Sequence, residues 1–80
     1  MPTIHRESGF RFIVYVDDHE PAHVHVWYAG AIARIDLGGA NRRPEPDDPG
    51  SMKTVDVRRA VRIVEANKDA FLDAWRSIHG

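Results

Sequence analysis

His23 and His25 stand two residues apart in the run His23-Val24-His25-Val26-Trp27-Tyr28. In an extended strand, residues i and i+2 share a face, so both imidazoles and Trp27 point the same way. Two imidazoles so placed are a common way to supply two ligands to one metal ion. Zinc, nickel or manganese would need at least one more ligand. The chain has no cysteine, so that ligand must be His, Asp or Glu, and Asp17, Asp36 and His19 are the candidates by proximity. The same residues suit general acid–base chemistry, because a histidine beside a carboxylate is tuned near neutral pH. A ribonuclease that activates a 2′-hydroxyl would use them in that way, although no nucleophile motif or glycine-rich phosphate loop accompanies them. The plain alternative is a structural network in which the carboxylates orient the histidines.

A second cluster, Arg58, Arg59 and Arg62, falls at the start of a helical pattern, with Arg58 and Arg62 four residues apart on one side. It is a candidate phosphate contact. The competing reading is a solvated face, with Glu65 three residues from Arg62 and able to pair with it. A formal net charge of −1 gives no global attraction to nucleic acid, so such binding needs a local patch.

The elements that must position these groups follow from pattern. Phe10 to Val16 is rich in β-branched and aromatic residues after the turn Glu7-Ser8-Gly9, and reads as a strand; Thr3 to Arg6 is a candidate short edge strand beside it. Asp17 to Ala22 is a polar, proline-containing loop. His23–Tyr28 and Ala31–Leu37 flank Ala29-Gly30 as a tight hairpin. Gly38 to Lys53, with three prolines and mixed charges, reads as a long flexible loop. Val57, Ala60, Val61 and Val64, then Phe71, Leu72, Trp75 and Ile78, repeat at helical spacing. Asn67 between them can end one helix and cap the next; one bent helix is the alternative. Trp75 lies in the apolar stripe, and His79 reads as a capping charge at a helix C-terminus.

Alternation assigns Phe10, Phe12, Val14, Val16, Val24, Val26, Tyr28, Ala33, Ile35 and Leu37 to the core face. A two-residue hairpin pairs Tyr28 with Ala31, Trp27 with Ile32, His25 with Arg34, and His23 with Asp36. Matching faces with the first strand sets Ile13 opposite Trp27, Tyr15 opposite His25 and Asp17 opposite His23. The outer face then reads Asp17/His23/Asp36, Tyr15/His25/Arg34 and Ile13/Trp27/Ile32. Exposed aromatic residues there mark a contact surface.

Eighty residues make one domain, 1–80, with about 60% of its surface buried on folding and room for one sheet and one helical layer. A deep cavity is therefore not expected, and oligomerisation is a natural option. No apolar run approaches the roughly 20 residues of a membrane span. The N-terminus lacks the layout of a secretory signal, which places the expected location in the cytoplasm. The fold class expected is α+β: a three- to four-stranded antiparallel meander with two C-terminal helices, or one bent helix, on one face.

Met1-Pro2-Thr3-Ile4, the run Asp18-His19-Glu20-Pro21-Ala22-His23-Val24-His25-Val26, and Trp75 with His79-Gly80 resemble the small bacterial family catalogued as domain of unknown function 4160. The central run is the most specific part. The family usually has two prolines before the histidines; Ala22 replaces the second, which leaves the loop less stiff. The resemblance implies a β-meander with C-terminal helices, and a bacterial protein often encoded beside another small domain in a toxin–antitoxin-like arrangement. It makes His19, His23 and His25 the positions to test and supplies no reaction. The leading expectation is an interaction module whose binding face comprises Tyr15, His19, His23, His25, Trp27 and Arg34, directed at a protein partner or a second copy. The alternatives are a metal-dependent or His-based RNA-cleaving enzyme, and nucleic-acid binding through Arg58, Arg59 and Arg62.

Overall fold

The computed structural model describes residues 3–39 and 41–80; Met1, Pro2 and Ala40, which entered the terminal resemblance and the Gly38–Lys53 reading, lie outside the described residues. Five strands form one antiparallel sheet in chain order: β1 (Thr3–Glu7), β2 (Phe10–Ile13), β3 (His23–Tyr28), β4 (Ala31–Asp36) and β5 (Glu45–Asp48). Two helices follow, α1 (Thr54–Ala66) and α2 (Lys68–His79). The class is α+β as expected, with five strands rather than three or four. The edge strand at Thr3 exists. The fifth, Glu45-Pro46-Asp47-Asp48, lies inside the segment that composition marks as loop, and pairs with β4 alone. Proline and clustered charge are tolerated on an edge, where they also discourage pairing with other chains. A protected edge strand and a loop therefore look alike in sequence.

One face of the sheet carries Phe10, Phe12, Val24, Val26, Ala33 and Ile35, which join Val57, Ala60, Val64, Phe71 and Trp75 of the helices in a single core. Alternation alone explains this set, since these residues share one side of the pleat. Two helices meet at Asn67. Its amide N–H reaches the Ile63 and Val64 carbonyls and its side chain donates to Ile63 O at 2.8 Å, so it terminates α1. The expected side-chain cap on α2 is not made; the Asn67 side chain turns back and donates to the last turn of α1 instead.

The hairpin between β3 and β4 has the expected register throughout, from Tyr28↔Ala31 to His23↔Asp36. Ala29 (φ 50°) and Gly30 (φ 81°) both adopt positive φ, the signature of a type I′ turn. The β2–β3 register differs from expectation by two residues: Arg11 faces Trp27 and Ile13 faces His25. A shift of two preserves which face each side chain takes, so the faces survive while the neighbours change. The cause is that β2 stops at Ile13, three residues early. Val14 remains buried, but Val16, expected in the core, is 68% exposed on the loop. Ile13, expected outward, is fully buried.

Because Ala pays a steric penalty at positive φ that Asn and Gly largely avoid, Ala29→Asn is expected to raise stability by about 0.5–1 kcal/mol in urea unfolding. A loss of stability would contradict the turn assignment.

Candidate metal centre

With β2 ended at Ile13, the chain from Val14 to Ala22 turns back at the end of the sheet. The turn is closed reciprocally by Tyr15 and Asp18. The Asp18 amide N–H donates to Tyr15 O at 3.1 Å, and the Tyr15 amide N–H donates to Asp18 Oδ2 at 2.9 Å. One carboxylate oxygen is thereby fixed and the other, Oδ1, is aimed at β3. It lies 3.1 Å from His25 Nε2 and 3.4 Å from His23 Nε2. The three side chains are 12%, 21% and 13% exposed for Asp18, His25 and His23, so water reaches the cluster without filling it. Tyr15 packs edge-on against His25 with ring centroids 4.7 Å apart.

The second nitrogen of His23 is also committed: Nδ1 lies 2.9 Å from the Pro21 carbonyl oxygen. A carbonyl can only accept, so Nδ1 is the nitrogen that carries the proton. In the neutral imidazole, Nε2 then presents a lone pair towards Asp18 Oδ1, which is itself an acceptor. Two acceptors facing each other repel, and a proton or a metal ion between them would relieve that. Burial alone would raise the Asp18 carboxyl, but the Tyr15 amide, the hydrogen bond from His25 and the charges of His25 and His23 together hold it below the ordinary carboxylate value. It is an anion at neutral pH.

Two of the three donor separations suit a metal as well as a hydrogen-bonded pair. At about 2.0–2.2 Å from a tetrahedral zinc ion, neighbouring donor atoms lie roughly 3.3 Å apart, and the observed 3.1 and 3.4 Å separations match that edge. One donor atom from each of Asp18, His23 and His25 lies within 4.8 Å of the others, the only such group among the described residues. Three protein ligands leave a coordination position open, and an open cleft of about 340 Å³ borders Asp18, His23 and Arg34.

Of the residues read from sequence as ligands, His23 and His25 come together as expected. Asp17 and Asp36 do not join them. Asp17 is exposed on the loop, because the early end of β2 removes the strand pairing that would have set it beside His23. Asp36 does face His23 across the sheet, but its Oδ1 accepts from the Gly38 amide at 2.7 Å and lies 3.5 Å from Arg42 Nη2. Asp18 stands beside the two histidines instead. Its neighbour status in sequence was a signal, but only the Tyr15–Asp18 turn selects it. His19 is exposed and lines the cleft with Arg34, and Arg34 pairs through Nε with Asp47 at 2.6 Å.

Trp27 is 37% exposed beside Ile32 at 40%, with Arg11 rather than Ile13 completing that row. The arginines of α1 do not act together. Arg59 lies over the Phe10 and Tyr28 rings at 5.1 and 5.4 Å and pairs with Asp56 at 3.3 Å. Arg58 and Arg62 are exposed. Glu65 pairs with Arg43 at 3.0 Å, not with Arg62, because the chain before β5 brings Arg43 to α1.

The fold and the cluster together define a small α+β domain with a two-histidine, one-carboxylate centre at the end of an antiparallel meander. A family model for a domain of unknown function, DUF4160, matches residues 9–76. The chain belongs to that family. No curated protein and no solved structure matches it.

Long-range ¹H–¹⁵N spectra of the metal-free protein are expected to show His23 protonated on Nδ1. A His23 imidazole protonated on Nε2 alone would contradict the bond to Pro21 and the geometry built on it.

Proposed function

We propose that this domain is a divalent-metal-binding module, with Asp18, His23 and His25 as its protein ligands and the open position directed to solvent in the adjoining cleft. The observation that carries this reading is the convergence of two imidazole Nε2 atoms on one carboxylate oxygen, with His23 Nδ1 and Asp18 Oδ2 already held by backbone groups. Hydrogen bonding of a ligand's second atom to a backbone group is how metal sites fix the tautomer and direction of the donor. Two imidazoles and one carboxylate suit zinc and nickel better than manganese, which also stands at the weak end of the divalent series.

Calorimetric titration of the metal-free protein is expected to give saturable 1:1 heat with zinc and with nickel, and weaker heat with manganese. The heat is expected to vanish in the His23→Ala, His25→Ala double variant and to fall sharply in Asp18→Asn. Wild-type protein with no saturable binding below about millimolar metal would rule the reading out, since built sites bind more tightly.

A second reading is favoured by the exposed row Arg11, Trp27 and Ile32, on the sheet face opposite the helices. Tryptophan and arginine are the residues most enriched at binding hot spots, which supports a protein contact, either a partner or a second copy, on this face. Trp27→Ala is expected to abolish any self-association seen by sedimentation, or binding to a co-encoded partner in a pull-down. Unchanged profiles in both assays would remove that role for Trp27.

A further inference from the structure

The last turns of α2 touch His23, Glu20 and Tyr15 around the Asp18, His23 and His25 cluster, although none of their residues belongs to it. The Trp75 ring lies against the His23 imidazole with centroids 5.2 Å apart. Its indole N–H donates to Glu20 Oε2 at 2.9 Å, which ties down the residue just before Pro21, whose carbonyl holds His23 Nδ1. His79 packs on Trp75 at 3.9 Å between centroids. A ring nitrogen of His79 lies 3.2 Å from the Tyr15 carbonyl oxygen, the same oxygen that accepts from the Asp18 amide. Tyr15 in turn orients Asp18 through its own amide and packs on His25. Trp75 and His79 thus brace the loop that carries the carboxylate at Glu20 and Tyr15, and Trp75 packs on His23.

We propose that Trp75 and His79 are positioning residues for the metal centre, and that metal occupancy and the order of the C-terminal turn of α2 are coupled. This rests on the metal-binding reading above. Groups that hold a ligand's orientation affect affinity by about 10- to 100-fold when removed. Coupling is reciprocal: if docking of α2 tightens metal binding, metal binding must tighten α2 by the same factor. Packing alone needs only the apolar ring, whereas the Trp75 indole N–H reaches Glu20 and one His79 nitrogen, Nε2, faces Tyr15 O, its Nδ1 lying 3.1 Å from the Trp75 carbonyl of the same helix.

The test uses the full chain and zinc alone. Calorimetry is run on wild type, Trp75→Phe, His79→Ala and, as a control on the same turn, Arg76→Ala, whose contact is with Asp73. Thermal unfolding of each metal-free protein and amide hydrogen exchange of wild type with and without zinc complete the set. Trp75→Phe keeps an aromatic ring in the core, deletes the N–H to Glu20 and shrinks the ring that packs on His23 and His79, and the metal-free melting temperature reads that packing loss separately. We expect Trp75→Phe and His79→Ala each to weaken zinc binding by about tenfold, Arg76→Ala to leave it unchanged, and zinc to slow exchange at residues 75–80. A purely structural role would lower the metal-free melting temperature and leave zinc affinity intact; that result, or unaltered exchange at residues 75–80, overturns the positioning role while the metal site stands. Wild-type protein that binds no zinc overturns both. Should His79→Ala fail to fold, Trp75→Phe and the wild-type exchange data decide the question by themselves.

Discussion

The site depends on one short turn, in which Tyr15 and Asp18 exchange backbone and side-chain hydrogen bonds immediately after β2 ends. Without it the loop from Val14 to Ala22 would have no reason to present a carboxylate to β3. With it, one oxygen of Asp18 is used locally and the other is left for His23 and His25. An aspartate does this well because its short side chain can bond a backbone amide three residues away while its second oxygen points outward. The histidines need no comparable device. Strand alternation aims them, and the core residues Val24 and Val26 between and beside them fix that alternation by their burial.

The sheet supplies rigidity and the helices supply position. The β3–β4 hairpin is held by six residue pairs and a tight turn, so the His23–His25 spacing is set by a stiff element, as the proposed metal site requires. The loop that brings Asp18 is less constrained by its own sequence, and contacts from α2 make up the difference: Trp75 to Glu20, and His79 to Tyr15. A domain of this size has little core from which to support a site, and placing the cluster where sheet, loop and helix end meet lets each buried group serve both packing and positioning.

Much of this was legible in the sequence. The hairpin register followed from Ala29-Gly30 and alternation, and the pairing of His23 with His25 followed from spacing alone. The third member of the cluster was not legible. Alternation correctly assigned Phe10, Phe12 and Val14 to the core but not Val16, and it left Ile13 outside; nothing in that run shows that pairing stops at Ile13, since Val14, Tyr15 and Val16 have strand propensities as high as the residues before them. The two-residue change in register followed, and with it the exchange of Asp17 for Asp18. The strand β5 was hidden for the opposite reason. Pro46, Asp47 and Asp48 are poor strand formers that an edge position tolerates, so composition pointed to a loop. The arginines of α1 were legible as a run but not as individuals, because the stacking of Arg59 on Phe10 and Tyr28 is a tertiary contact.

A cluster of two imidazoles on one carboxylate oxygen answers to two physical descriptions, a proton-bridged network and a metal centre, and they differ in what the Nε2 atoms touch. X-ray absorption at the zinc edge of the stoichiometric complex reads that directly. The account requires two imidazole nitrogens and one carboxylate oxygen at about 2.0–2.2 Å, with the imidazole scattering lost in the His23→Ala, His25→Ala variant. A spectrum with an all-oxygen shell and no imidazole scattering would contradict it.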